Sequence, residues 1–162
     1  MNIYLKYFIL CLVIIFLDIA WISLNYKNYS KAILKVQKSG INLRYEYAII
    51  TYIIILFSII YVAIPFTLQN IKNGDNNSIE NKLLKSFMYG GAVGFSIFGI
   101  YNFTSLSIYK DTDILTGIID TLWGTTLYTL STLSLKSFNS LFKGSNKVLM
   151  FLLLVSSKVL DF

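Results

Sequence analysis

Tyr4-Leu5-Lys6-Tyr7-Phe8-Ile9-Leu10-Cys11-Leu12-Val13-Ile14-Ile15-Phe16-Leu17-Asp18-Ile19-Ala20-Trp21-Ile22-Ser23-Leu24 is an apolar run broken only by Lys6 near its start and Asp18 toward its end. About 20 mostly apolar residues are enough to cross a bilayer as a helix, so this stretch reads as a membrane span. The pattern around its acid recurs. Ile119-Asp120-Thr121-Leu122-Trp123 sets a second Asp-x-x-Trp inside another apolar segment. A carboxylate within a membrane helix is expensive to keep there, and it points to a functional site by default.

The rest of the chain fits that frame. It has 162 residues, is 56% apolar and has a mean hydropathy of +0.65, well above an ordinary soluble domain. Four segments are long and apolar enough to span: 4–24, 47–68, 87–109 and 114–135. Together they leave no room for a soluble domain, so residues 1–162 form one membrane domain. The expected fold class is an all-α, multi-pass integral membrane protein with four antiparallel transmembrane helices.

The connections are polar. Lys27, Lys31, Lys35, Lys38 and Arg44 fill the first loop, where 29–37 has the spacing of a short interfacial helix ended by Gly40. Residues 71–85 form the most polar loop, with Ser78 placed to cap a helix feeding the third span. Pro65 sits near the far end of the second span, where losing one backbone donor matters least. In the tail, 136–162, the apolar core 148–155 is too short to cross, and it reads as an interfacial helix or a partial fifth span.

The net charge of +6 sits mainly in loops and tails, where it meets anionic lipid headgroups. No basic stripe interleaves with exposed aromatics, which argues against nucleic-acid binding. Charge barely orients the chain: the terminal side holds eight lysines against five plus Arg44 opposite. Lys6, at the start of the first span, points to cytoplasmic termini.

Antiparallel threading brings the acids to one level. Asp18 lies six residues before the end of span one and Asp120 six residues after the start of span four. At 1.5 Å per residue both sit about 9 Å below the same face. Asn102 in span three and Thr51 and Tyr52 in span two fall close to that level. Helical spacing aligns Gly117, Asp120, Gly124, Leu127 and Ser131 in span four and Gly91, Gly94, Phe98, Asn102, Ser105 and Tyr109 in span three. The stripe expected for span two is Tyr47, Thr51, Ile54, Ser58, Tyr61 and Pro65. The candidate polar layer is therefore Asp18, Asp120, Asn102, Ser105, Thr51 and Tyr52, with Trp21, Trp123, Tyr101 and Gly124 lining or packing it.

No Lys or Arg lies in the apolar body of a span near either acid, so a shared proton, a monovalent cation or a cationic substrate is expected to balance the charge. Four helices barely enclose a path at this size, and a homo-oligomer is one way to complete it. The competing reading is a scaffold in which hydrogen-bonded acids fix helix packing at roughly 0.6 kcal/mol per bond. Enzyme chemistry fits poorly. With no His and a single Cys11 there is no nucleophile–base pair, no Cys/His metal site and no expected cofactor. Intramembrane aspartyl proteolysis needs Gly-x-Gly-Asp, whereas Gly117-Ile118-Ile119 precedes Asp120.

Asp18-x-x-Trp21, Tyr101-Asn102-Phe103-Thr104-Ser105 and Asp120-x-x-Trp123-Gly124 together resemble the family of small predicted membrane proteins known as domain of unknown function 2177. The resemblance implies four membrane helices and carries no activity with it. Family members often have Asp or Asn at the position of Asn102 and Asn at that of Ser105, so this chain has a milder polar third helix.

The threading has a direct check. Asn28-Tyr29-Ser30 and Asn76-Asn77-Ser78 are glycosylation sequons on opposite sides of the membrane. In a eukaryotic secretory membrane at most one of the two acquires a glycan, and mobility-shift detection of glycans on both refutes the four-span path.

Overall fold

The computed structural model describes residues 3–70 and 78–141, which are helical apart from short turns and contain no strand. Helix α1 (Ile3–Leu24) is followed after one residue by α2 (Tyr26–Gln37). The second long helix joins α3 (Tyr45–Phe57) to α4 (Ile64–Gln69) through a π-helical turn, Ser58–Ala63. The third joins α5 (Ile79–Lys85) to α6 (Ala92–Ile108) through another, Ser86–Gly91. Helix α7 (Ile114–Leu141) closes the described chain. The tail helix expected over 148–155 and the part of the polar loop before Ser78 lie outside the described residues.

By length and composition, three helices can cross a membrane: Tyr4–Leu24, Tyr45–Gln69 and Ile79–Ile108. The expected fourth, α7, is absent from that set because its body carries Asp120 and a run of Thr and Ser. Those hydroxyls are accommodated within the helix. Thr121, Thr125, Thr129 and Ser131 each donate to the carbonyl four residues earlier, at 2.7–2.9 Å. Their polarity is spent on the backbone of α7 itself, so the helix can be buried. Helix α7 touches α1, α2, α4, α5, α6 and both π turns, and is the central element of the fold.

The core joins three of these helices. Leu10 and Ile14 of α1 meet Ile55, Ile59, Ala63 and Ile64 of the second helix and Leu127 and Tyr128 of α7. Outward faces are apolar too: Phe8, Leu12, Phe16 and Ile19 of α1 are exposed, as a helix sheathed in acyl chains requires. Ser58 and Tyr128 pair their hydroxyls inside this core.

Several local expectations change. The helix expected over 29–37 starts a turn earlier, and it ends at Lys38 rather than Gly40. Lys38 adopts the left-handed conformation, φ 58°, and its N–H bonds the Leu34 carbonyl at 3.0 Å. Ser78 does cap α5, accepting from the Asn81 N–H at 3.3 Å. In the second helix only Ser58 of the expected stripe is fully buried; Tyr47, Thr51, Ile54 and Tyr61 are exposed. The inward face runs instead through Tyr52, Ile55, Ile59 and Ala63. The helix is apolar all round, so its sequence carries little directional signal, and the π turn before Pro65 shifts the register while making room for the proline ring.

Helices α6 and α7 approach closely through glycines. A side chain at Gly124 would enter the Phe98 ring, and one at Gly94 would meet the Gly124 carbonyl and the Tyr128 ring. Because a backbone carbonyl cannot move aside cheaply, Gly94→Ala is expected to cost about 1–3 kcal/mol. Gly99→Ala meets only Thr121 Cγ2 at 3.6 Å and should be neutral or slightly stabilising. Unfolding of both variants in detergent measures the contrast; equal stabilities would deny the close approach.

Candidate functional site

The two Asp-x-x-Trp motifs serve each other. Trp123 Nε1 of α7 donates to Asp18 Oδ1 of α1 at 2.8 Å. Trp21 Nε1 of α1 donates to the Tyr29 hydroxyl at 3.1 Å, and that hydroxyl donates to Asp120 Oδ1 at 2.6 Å. Each tryptophan thus reaches the other motif's aspartate, once directly and once through Tyr29. The indoles lie against one another between the acids, with centroids 4.6 Å apart and planes within 4°. The three-residue spacing explains the exchange. Positions i and i+3 share a helix face, so two facing helices present Asp and Trp side by side.

Two further helices complete the layer. Asn102 of α6 donates through Nδ2 to Asp120 Oδ2 at 2.8 Å, and it also faces Thr121 Oγ1 at 3.3 Å. From α3 the Tyr52 hydroxyl reaches Asp18. Asp18 is 6% exposed and Asn102 8%, whereas Asp120 is only partly covered and lies under α2. The burial differs because Asp18 is enclosed by α3 and α7, while the Asp120 side of the layer opens toward the interfacial helix.

Of the expected layer, the structure brings together Asp18, Asp120, Asn102 and Tyr52, with Trp21 and Trp123 between them. It does not bring in three others. Thr51 is exposed and bonds its hydroxyl to the Tyr47 carbonyl at 2.9 Å. Ser105 turns back to the Tyr101 carbonyl at 2.8 Å, and Tyr101 is 69% exposed. One position along a helix is about 100° of rotation, which turns Tyr101 off the face of Asn102. Ser105 lies nearly one turn further along that face, half-buried, and spends its hydroxyl on its own backbone. Gly124 contributes space for Phe98 rather than a polar group.

Tyr29 and Thr121 are the participants that sequence spacing missed. Tyr29 opens a stripe with Ile33 and Val36 on the inner face of α2, so its inward direction was readable; its bond to a residue 91 positions away was not. Burial first, and then the Asp120 carboxylate, holds the Tyr29 hydroxyl well above the usual tyrosine range, so it remains a donor. At the entrance of α7, Asp113 accepts from the Thr116 N–H and hydroxyl at 2.9 and 2.6 Å. Those bonds, with Lys35 nearby, hold its carboxyl below the usual range and cap the helix.

A family model described as predicted membrane protein (DUF2177) matches residues 3–135. The chain belongs to that family. The matched segment contains the whole layer described above, from Asp18 to Trp123, and stops before the tail. With its apolar helices, this identifies an integral membrane protein in contact with lipid. Neither the curated proteins nor the solved structures yield a match.

Tyr29 supplies the pH test of the layer. Its proton is held more tightly in the folded chain than in the unfolded one. The stability it contributes is therefore complete below the unfolded tyrosine pKa of about 10 and shrinks as pH rises above it. Tyr29→Phe should lose about 1–3 kcal/mol near neutral pH, since Asp120 and Trp21 each lose a partner. Denaturation midpoints of variant and parent should converge in alkali; a gap independent of pH would contradict the assignment.

Proposed function

We propose that this protein is a small non-enzymatic carrier or channel in which Asp18 and Asp120 take up a proton or a monovalent cation. The supporting observation is the character of their partners. Among the described residues, Trp123 and Tyr52 serve Asp18, and Tyr29 and Asn102 serve Asp120; all four are neutral donors. Hydrogen bonds from neutral groups disperse a carboxylate's charge but do not cancel it. Two such acids in one layer of low polarity favour a proton or cation that cancels one charge. In this reading α7 is the fourth span, the four long helices alternate in direction, and the layer lies near the side of the first loop. Tyr29 gives access from that side, because it lines an external cleft and bonds Asp120.

The alternative is a scaffold whose layer fixes packing. It is favoured by the number of helices the network ties together: α1, α2, α6 and α7 all contribute a hydrogen-bonded side chain. The two readings part on Asp→Asn substitution, which keeps size while removing charge and turning one acceptor oxygen into a donor.

Proton, Na⁺ and K⁺ flux into proteoliposomes is the discriminating measurement. The folded parent should carry one of these ions, and Asp18→Asn and Asp120→Asn should lose that flux while incorporating normally. A folded parent that moves none of them under an imposed gradient, with Asp→Asn variants that fail to assemble, would transfer the assignment to the scaffold.

A further inference from the structure

We propose that the groove between α2 and the start of α7 is a headgroup site for an anionic glycerophospholipid. The proposal concerns binding and does not rest on the transport reading. Two adjoining cavities, about 240 and 650 Å³, share Lys35, Asp113 and Leu115 and form one groove. Its lining carries Lys31, Lys35, Lys38 and Lys110 against Asp111 and Asp113, a surplus of two positive charges. The acids are engaged: Asp111 pairs with Lys38 at 3.2 Å, and Asp113 caps α7 through Thr116. Thr112 lines the same groove. A phosphodiester supplies an anion for the lysines.

The apolar lining decides between a lipid and a free phosphate. Leu115 and Ile119 line the groove, and the exposed apolar residues Ile118 and Leu122 continue from them along α7. Lysines above and an apolar track running into the bilayer match a headgroup joined to acyl chains. Tyr29 lines the groove as well, which places the occupant one hydrogen bond from Trp21.

That connection provides the readout. The chain has two tryptophans, both in the layer, so its indole emission reports on the neighbourhood of Tyr29. The detergent-solubilised full chain would be titrated with phosphatidylglycerol, phosphatidylcholine and inorganic phosphate, with native mass spectrometry counting retained lipid. A saturable emission change and a retained molecule are expected with phosphatidylglycerol alone. The double variant Lys31→Gln/Lys35→Gln should weaken binding by about tenfold or more. Lys27→Gln, on the same helix but outside the groove, should leave it unchanged. Equal binding of phosphatidylcholine, an equal response to inorganic phosphate, equal weakening by Lys27→Gln, or neither an emission change nor retained lipid would each overturn the site.

Discussion

Two carboxylates held inside an apolar helical assembly need hydrogen-bond donors, and the arrangement of this protein follows from where those donors come from. Water is scarce at that depth and, among the described residues, no cationic side chain bonds either acid, so neutral N–H and O–H groups are delivered by other helices. Asp18 draws on α7 and α3, and Asp120 on α2 and α6. That demand fixes which face each helix turns inward and requires α7 to stand at the centre. The two indoles that cross between the motifs stack on one another.

A central helix bearing an acid and many hydroxyls would be costly if those groups needed outside partners. The threonines of α7 avoid this by bonding their own backbone one turn back, which leaves methyl groups to pack. Glycines on α6 and its π turn then admit those methyls and the ring of Tyr128. The two π turns lie against each other and against α7, below the carboxylate layer. Polar chemistry and close packing thus occupy successive levels of the same helix, the acids above and the small-residue contact beneath.

Much of this was legible from composition and spacing. Apolar length gave the first helix its observed limits, the Asp-x-x-Trp repeat gave the two acids, and helical steps placed Asn102 and Gly124 on the faces they occupy. Three things were not. The second helix is hydrophobic on every side, so nothing in its sequence favoured the face of Tyr52 over that of Thr51. A π turn has no strong residue signature, and the one before Pro65 changed the register that spacing assumes. Tyr29 belongs to a loop helix whose docking depends on residues nearly a hundred positions later. Direction within a long apolar helix is set by its neighbours more than by its own pattern.

The exchange between the two motifs also bears on how the chain is made. Asp18 is synthesised 105 residues ahead of Trp123, the indole that donates to it. A ribosome feeding α1 into a membrane therefore delivers a carboxylate whose partner does not yet exist, and α3 and α6 enter before the central helix they pack against. Until α7 arrives, the earlier helices hold an unfinished polar seam that water, lipid headgroups or an insertion factor must shelter. The last described helix is then the keystone of assembly, and the order of synthesis runs opposite to the order of structural dependence.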